Sequence, residues 1–328
     1  MGAIIRFKRM RKMQYEKYIE HKFISAVSQN SLQDVKDILD EIKAATNEAF
    51  YRALVEGHEE IAEEILKSGV DVNYQDSSTK ITPLMKAARE GRIDVVQKLI
   101  DLGADLNLKS LTDLTALFFA IDYSKTDCAL KLIEAGADVN INDDSQTSPL
   151  IKAAHQGLDK VVLAIIEAGG DLSHADDYGR TALFEAVWGG HKNCVQVFID
   201  KNVDLNWQYK YGYNALIIAA CHENEEIVKL LLQAGANVNC QNEDGETALM
   251  VAVKRDNFSI FQELIMNGAD VLIKDNKGID AYNLAMKEGN QNMARLIKEA
   301  AKKQVSKRRI ASQQVGQRAQ SVQRQNGI

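Results

Sequence analysis

A spacing of 33 residues governs this chain. The triplets Thr82-Pro83-Leu84, Thr115-Ala116-Leu117, Ser148-Pro149-Leu150, Thr181-Ala182-Leu183, Asn214-Ala215-Leu216, Thr247-Ala248-Leu249 and Asp280-Ala281-Tyr282 recur at that step. A second series runs in the same phase: Gly103-Ala104-Asp105, Gly136-Ala137-Asp138, Gly169-Gly170-Asp171, Asn202-Val203-Asp204, Gly235-Ala236-Asn237 and Gly268-Ala269-Asp270. A unit this small cannot bury both of its faces, so such units must stack on one another.

The residues of each unit have local reasons. The leading Thr, Ser, Asn or Asp accepts from the backbone N–H groups of a first helical turn and so serves as N-cap. Pro83 and Pro149 follow at the first helical position, where a missing N–H costs nothing. Later in the unit, Val95, Val96, Leu99 and Ile100, and again Ile227, Val228, Leu231 and Leu232, form the apolar stripe of a second helix. The Gly that follows supplies a left-handed residue after that helix, and Asn202 is the best substitute for it. Each unit is read as two short antiparallel helices and a hairpin-like finger.

The two series together resemble the ankyrin repeat, whose unit opens on Thr-Pro-Leu-His and closes on Gly-Ala-Asp. The resemblance implies an all-α fold, an ankyrin-repeat solenoid. Phe50, Ala53 and Gly57 through Gly69-Val70-Asp71-Val72-Asn73 form a further unit, with one residue added in the loop at 76–81. Before it, Phe23, Ala26, Val35, Ile38 and Leu39 form a terminal cap lacking both motifs. Nine units are expected over residues 18–301, between a basic segment at 1–17 and a basic, Gln-rich, disordered tail at 302–328. No separate catalytic domain is left. One departure from the family pattern is consistent. The His of the opening motif is replaced by Tyr51, Met85, Phe118, Ile151, Phe184, Ile217, Met250 and Asn283, so the family's Thr–His bond is not expected.

Composition narrows the function. Of 328 residues 45% are hydrophobic, which suits a folded chain, and no apolar run approaches the roughly 18 residues of a membrane span. The start, Met1 to Lys8, breaks into charge before a signal-peptide core forms, and Arg6 stands where a myristoylation motif at Gly2 wants Ser or Thr. Cys128, Cys194, Cys221 and Cys240 show no paired spacing, so neither a zinc site nor a disulfide framework is expected. A reducing, cytoplasmic location and a monomer follow as expectations. The formal charge of −6 is uneven: taking away +5 for residues 1–12 and +7 for residues 302–328 leaves −18 between them. Such a body does not suit nucleic acid, though the basic ends suit polyanions such as nucleic acid or anionic lipid.

Catalytic chemistry is sparsely supported. His21, His58, His155, His174, His191 and His222 are spread along the repeats without metal-ligand spacing, and no phosphate loop or nucleophile motif occurs. Cys221 beside His222 is the one alternative from another class, a cysteine-dependent enzyme, but adjacent helical residues do not face each other. No cofactor or metal is expected.

What remains is a surface. The resemblance implies binding of a partner protein by the fingers and the exposed side of the first helices, which form a concave face. Eight of the 21 aromatic residues, both tryptophans among them, lie between Tyr178 and Tyr213. Packing of finger against finger does not readily absorb Trp188, Trp207, Tyr209, Tyr211 and Tyr213 together, and clustered exposed rings mark interfaces. The partner-binding residues expected are therefore Tyr178, Arg180, Trp188, Trp207, Tyr209, Lys210, Tyr211, Tyr213, His222 and Arg255, centred on the sixth and seventh repeats. The function expected is a scaffold, adaptor or inhibitor without enzymatic activity.

Overall fold

The computed structural model describes residues 21–22, 24–35, 47–67, 71–76 and 78–325. The basic segment at 1–17 and the cap residues Phe23, Ile38 and Leu39 lie outside them. Among the described residues the helices come in pairs: α1 Asn47–Glu56 with α2 Glu59–Lys67, α3 Pro83–Glu90 with α4 Ile93–Asp101, α5 Ala116–Asp122 with α6 Thr126–Glu134, and α7 Pro149–His155 with α8 Asp159–Glu167. They continue with α9 Ala182–Trp188 and α10 Lys192–Asp200, α11 Ala215–Cys221 and α12 Glu225–Gln233, α13 Ala248–Lys254 and α14 Phe258–Met266, and α15 Ala281–Lys287 and α16 Gln291–Gln325. Helical residues at 24–28 and 32–35 precede them. Extended structure is confined, among the described residues, to isolated bridges such as Ala175 with Thr181 and Lys274 with Asp280. The fold is an all-α ankyrin solenoid.

The caps form as the sequence predicts. The hydroxyls of Thr82, Ser148 and Thr181 accept from the backbone N–H of Met85, Ile151 and Phe184 at 3.1, 3.2 and 3.3 Å. Asn214 and Asp280 do the same for Ile217 and Asn283, each at 2.9 Å. The junction between finger and helix is thus regular without the family's His, because the cap is satisfied by the backbone. Behind it the first helices bury nearly all their residues; Leu216, Ile217, Ala219 and Ala220 of α11 are typical. The second helices bury a stripe, Val95, Val96 and Leu99 in α4 and Ile227, Val228, Leu231 and Leu232 in α12. Ile100, expected in that stripe, is only half-buried at its edge.

The chain divides into two compact units: the described residues of 1–152 with Leu163–Asp171, and Ala153–Val162 with Leu172 onward. Within each, neighbouring repeats are tied by side chains. In the first, Asp105 N–H donates to Asn73 Oδ1 at 2.7 Å, Asp138 N–H to Asn107 at 2.9 Å and Asp171 N–H to Asn140 at 3.0 Å. In the second, Asn237 N–H donates to Asn206 at 2.8 Å and Asp270 N–H to Asn239 at 2.7 Å. A backbone donor left over by one unit is met by the unit before it.

The last helix departs from the sequence reading. Residues 302–325, expected to be disordered, continue α16 as helix. From Gln291 onward there is no proline, a single interior glycine at 316, and many Ala, Lys, Gln and Arg, all good helix formers. Gln304 anchors it: its Nε2 donates to Ala269 O at 2.7 Å and its Oε1 accepts from Val271 N–H at 3.2 Å. Arg308 pairs with Asp270 beside it.

Because repeat stability is a sum of local and neighbour contributions, damage to one core should split the unfolding transition rather than lower it uniformly. Leu216→Ala, at a fully enclosed position, is expected to cost about 3–5 kcal/mol, and Leu183→Ala, beside an open cleft, about 2–3 kcal/mol. Denaturant unfolding followed by circular dichroism checks both. A single unshifted transition in either variant contradicts the core assignment.

Candidate protein-interaction surface

The fingers are held by one recurring device. Asp143 Oδ1 accepts from the N–H groups of Ser145 and Thr147, Asp176 Oδ1 from Tyr178 and Arg180, Asn242 from Asp244 and Glu246, and Asp275 from Lys277 and Ile279, all between 2.8 and 3.1 Å. The 33-residue register puts Tyr209 at this position in the seventh repeat. Its finger is drawn together by backbone bonds, Tyr209 N–H to Tyr213 O at 2.8 Å and Gly212 N–H to Tyr209 O at 2.9 Å. Lys210–Gly212 close as a single 3₁₀ turn with Tyr211 at φ +64°, a left-handed conformation that costs a non-glycine residue about 1 kcal/mol. Gly212 is required there. At φ +76°, a Cβ on it would lie 2.7 Å from the Glu243 nitrogen of the next finger.

Freed from holding the finger, the Tyr209 ring reaches the first helix of the sixth repeat. It lies 4.3 Å from Phe184, which is 5.8 Å from Trp188 one turn along α9. Trp188 meets His222 of the next repeat edge-on at 4.5 Å. A continuous row of four rings therefore runs across two repeats, and Trp188, 49% exposed, presents it to solvent. Tyr178 and Tyr211 stand on adjacent fingers at 56% and 57% exposure, with Lys210 Nζ 5.3 Å over the Tyr211 ring. Trp207 belongs to a different spot. Half exposed, it walls a cleft of about 290 Å³ with Leu172, Ser173, Leu183, Lys201 and Asp204, and its indole N–H reaches Gly179 O at 3.5 Å. Arg255 is exposed on α13's end.

Arg180 and Tyr213 have other duties. Arg180 Nε donates to Asp176 at 2.8 Å, its Nη1 lies 2.8 Å from Glu185 Oε1, and its guanidinium covers the Tyr178 ring at 4.9 Å. Asp176 and Glu185 are buried, and the other Glu185 oxygen meets His155 Nδ1 at 2.6 Å. Arg180 thus neutralises two enclosed carboxylates and steadies Tyr178, rather than reaching toward a partner's acid. Although burial opposes its charge, its bond to Asp176 and the nearby Glu185 carboxylate hold its pKa above the ordinary value. Tyr213 is half-buried, and burial pushes its hydroxyl up, opposed by a hydrogen bond with Asn242.

Sequence reading missed Phe184 and Glu185. Phe184 had left a signal: it is one of the residues standing in for the motif His, and an aromatic there lies one helical turn before Trp188. Glu185 had none, since a glutamate on a short helix ordinarily reads as a solvated residue.

The thiols are quiet. Cys128 and Cys194 are buried core residues, and burial pushes the Cys194 thiol up to about 12. Burial also raises Cys221, with Glu246 adding to it and Arg255 opposing, so little thiolate is present at neutral pH. His222 packs on Trp188, and nothing in this arrangement makes Cys221 a nucleophile. Among the described residues no group of three or more His, Cys, Asp and Glu gathers into a metal-binding arrangement, and no helix is long and apolar enough to cross a membrane.

Two outcomes follow for stability. Arg180→Ala is expected to cost about 2 kcal/mol, because Asp176 and Glu185 lose their shared cation in a partly screened site, and thermal melting reads it. For Cys194, the unfolded thiol ionises near 8.5 while the folded one stays protonated to about 12. The unfolded chain therefore loses the proton first, and stability present below pH 8.5 declines as pH rises between those values. Cys194→Ala removes that contribution, so its denaturation midpoint should fall less steeply than that of the parent from pH 8.5 to 10.5.

Comparison with known proteins agrees with this architecture. The family model for ankyrin repeats (3 copies) matches overlapping stretches from 23–110 through 216–308. The human ASB11 ankyrin repeat domain superimposes with a TM-score of 0.57 at 27% identity, covering 62% of this chain and 92% of that one. The ankyrin repeat domain of Bcl-3, an IkappaB family member, gives 0.58 at 27% identity over 62% and 94%. By sequence the chain is 38% identical to the DExH-box ATP-dependent RNA helicase DExH2 of Arabidopsis thaliana over 85 residues, 25% of this chain and 5% of that protein. It is 35% identical to the ankyrin repeat and KH domain-containing protein mask-1 of Caenorhabditis elegans over 99 residues, 29% of this chain and 4% of that one. The chain thus matches only a small part of these curated relatives. With a 33-residue unit capped, stacked and matched from residue 23 to 308, the chain belongs to the ankyrin repeat family.

Proposed function

We propose that this chain is a non-enzymatic interaction protein, a scaffold, adaptor or inhibitor, that binds a partner protein on the first-helix and finger face of its sixth and seventh repeats. Ankyrin repeat domains are generally protein–protein interaction modules. The observation that carries the assignment to these repeats is the ring row Tyr209–Phe184–Trp188–His222, capped by a half-exposed tryptophan and flanked by the exposed Tyr178 and Tyr211. Rigid aromatic side chains give large apolar contact for little rotamer entropy, and their polar edges still find hydrogen bonds. Trp188, Tyr211 and Tyr178 would make the central contacts, with Lys210, Arg255 and His222 supplying polar ones at the rim. Trp207 would widen the surface, whereas Arg180, Tyr209 and Tyr213 position their neighbours. The reading keeps the repeats at residues 18–301, a single copy of the chain and a cytoplasmic setting. A cysteine-dependent reaction at Cys221 is set aside because the thiol is raised rather than lowered.

Affinity capture from native lysate, with the retained protein then titrated against purified variants, tests this. Trp188→Ala and Tyr211→Ala should each weaken the same complex by about 2 kcal/mol or more, with melting temperature nearly unchanged. Asp144→Ala and Glu243→Ala, at repeat-equivalent finger positions, should matter less. Lost stability with intact binding would return the rings to packing between repeats.

A further inference from the structure

Four departures from the 33-residue register line one cleft, the space of about 290 Å³ walled by Trp207. Ser173 stands where Asn107, Asn140, Asn206 and Asn239 stand in other units, and Trp207 where Leu108, Ile141, Cys240 and Ile273 do. Lys201 replaces Leu102, Ala135, Ala168 and Ala234, and Asn202, at φ +56°, replaces Gly103, Gly136, Gly169 and Gly235. An asparagine in that left-handed conformation puts a side chain where glycine has none. The cleft reaches the core. Leu183 is 6% exposed, against 0–1% for Leu117, Leu150, Leu216 and Leu249 at its register. The asparagines of the other units each give a carboxamide oxygen to an N–H of the next repeat, and Asp204 N–H, the counterpart of those donors, has a serine there instead.

The lining selects a molecule that carries both charges. Leu172, Leu183, Val203 and the Trp207 ring make it apolar, while the exposed Lys201 and Asp204 add one cation and one anion. Among the described residues neither of these two is held in an ion pair. One Asp204 oxygen accepts from Asn206 N–H at 2.9 Å, which leaves the other for a ligand. A hydrocarbon would use neither charge, and a simple anion or cation would meet one of them as a like charge. A zwitterion meets both. The cleft stands at the lower end of small-molecule sites, which run upward from roughly 300 Å³, so its occupant is small. An apolar α-amino acid has the required parts: a carboxylate, an ammonium group that a tryptophan face also attracts, and a compact side chain. We propose that the cleft binds a free apolar α-amino acid. Its carboxylate meets Lys201 and the Asp204 N–H, its ammonium the second Asp204 oxygen, and its side chain Trp207 and Leu183. This goes beyond the partner-protein reading and does not depend on it.

Tryptophan emission of the full chain tests the proposal. In Trp188→Phe the one remaining tryptophan is Trp207, so the emission reports the cleft alone. Leucine and phenylalanine should each change it saturably below about 10 mM. Isocaproate, which is leucine without its ammonium, and isoamylamine, which is leucine without its carboxylate, should bind about tenfold more weakly or worse. So should glycyl-leucine and leucinamide, which stand for the last and the first residue of a partner chain. Lys201→Gln and Asp204→Asn should each weaken leucine about tenfold while the melting temperature without ligand stays the same. Asparagine keeps this turn, as Asn237 does by accepting from Asn239 N–H at 3.0 Å. No response to either amino acid at about 10 mM, an analogue binding as tightly as leucine, or undiminished binding by the two variants would each overturn the proposal.

Discussion

A helix pair of this size leaves backbone groups and apolar faces that it cannot satisfy alone, and the structure rests on how each repeat passes them to the next. The Asn73, Asn107, Asn140, Asn206 and Asn239 carbonyls each take a backbone N–H from the following unit. Gln75, Gln208 and Gln241 work alongside: each Nε2 donates once within its own finger and once to a carbonyl of the next repeat, Lys109, Gln241 and Lys274 respectively. Past Asp270 the partner comes from α16 itself. Gln304 of α16 takes the place, with one amide serving both Ala269 O and Val271 N–H. The basic helix is therefore attached by the same chemistry that joins the repeats.

Three positions depart from these residue types, Ser173, Tyr209 and Leu272, and the first two lie by Trp207 and Phe184. Ser173 stands where five other units have the bridging asparagine, and it lines the cleft walled by Trp207. Tyr209 stands where neighbouring fingers have Asp or Asn, and its ring goes to Phe184 instead of holding its own finger. Tyr211 is then left in a left-handed conformation on an exposed turn. Departures from local rules tend to mark surfaces selected for something other than stability. On the proposed reading, the departures coincide with the face that would meet a partner.

The legibility of these features in the sequence divides along the same line. Caps and core stripes depend on residues within one unit, so Thr82, Thr181 and Asn214, or Ile227 and Leu231, announce their roles by spacing alone. The ring row depends on which side chains meet across repeats, and spacing places Tyr209 and Trp188 without saying that Phe184 joins them. Arg180 misleads for a similar reason. Beside exposed aromatics it reads as a free cation, but the buried Asp176 and Glu185 claim it. In α16 the search for apolar periodicity fails, because the segment needs no core of its own: helix propensity and the Gln304 anchor suffice.

Linear stacking also explains why such departures survive. In a fold with one closed core, a strained tyrosine or an altered cap would disturb contacts throughout. Here each unit meets only its neighbours, so the cost of about 1 kcal/mol at Tyr211 is confined to the adjoining interfaces. Gly212 and the bond from Glu243 N–H to Tyr211 O at 2.8 Å keep that finger stacked despite it. The second unit can thereby carry an aromatic face on its sixth and seventh repeats and a basic helix at its end. Each is built from residues that the intervening repeats do not need for their own packing.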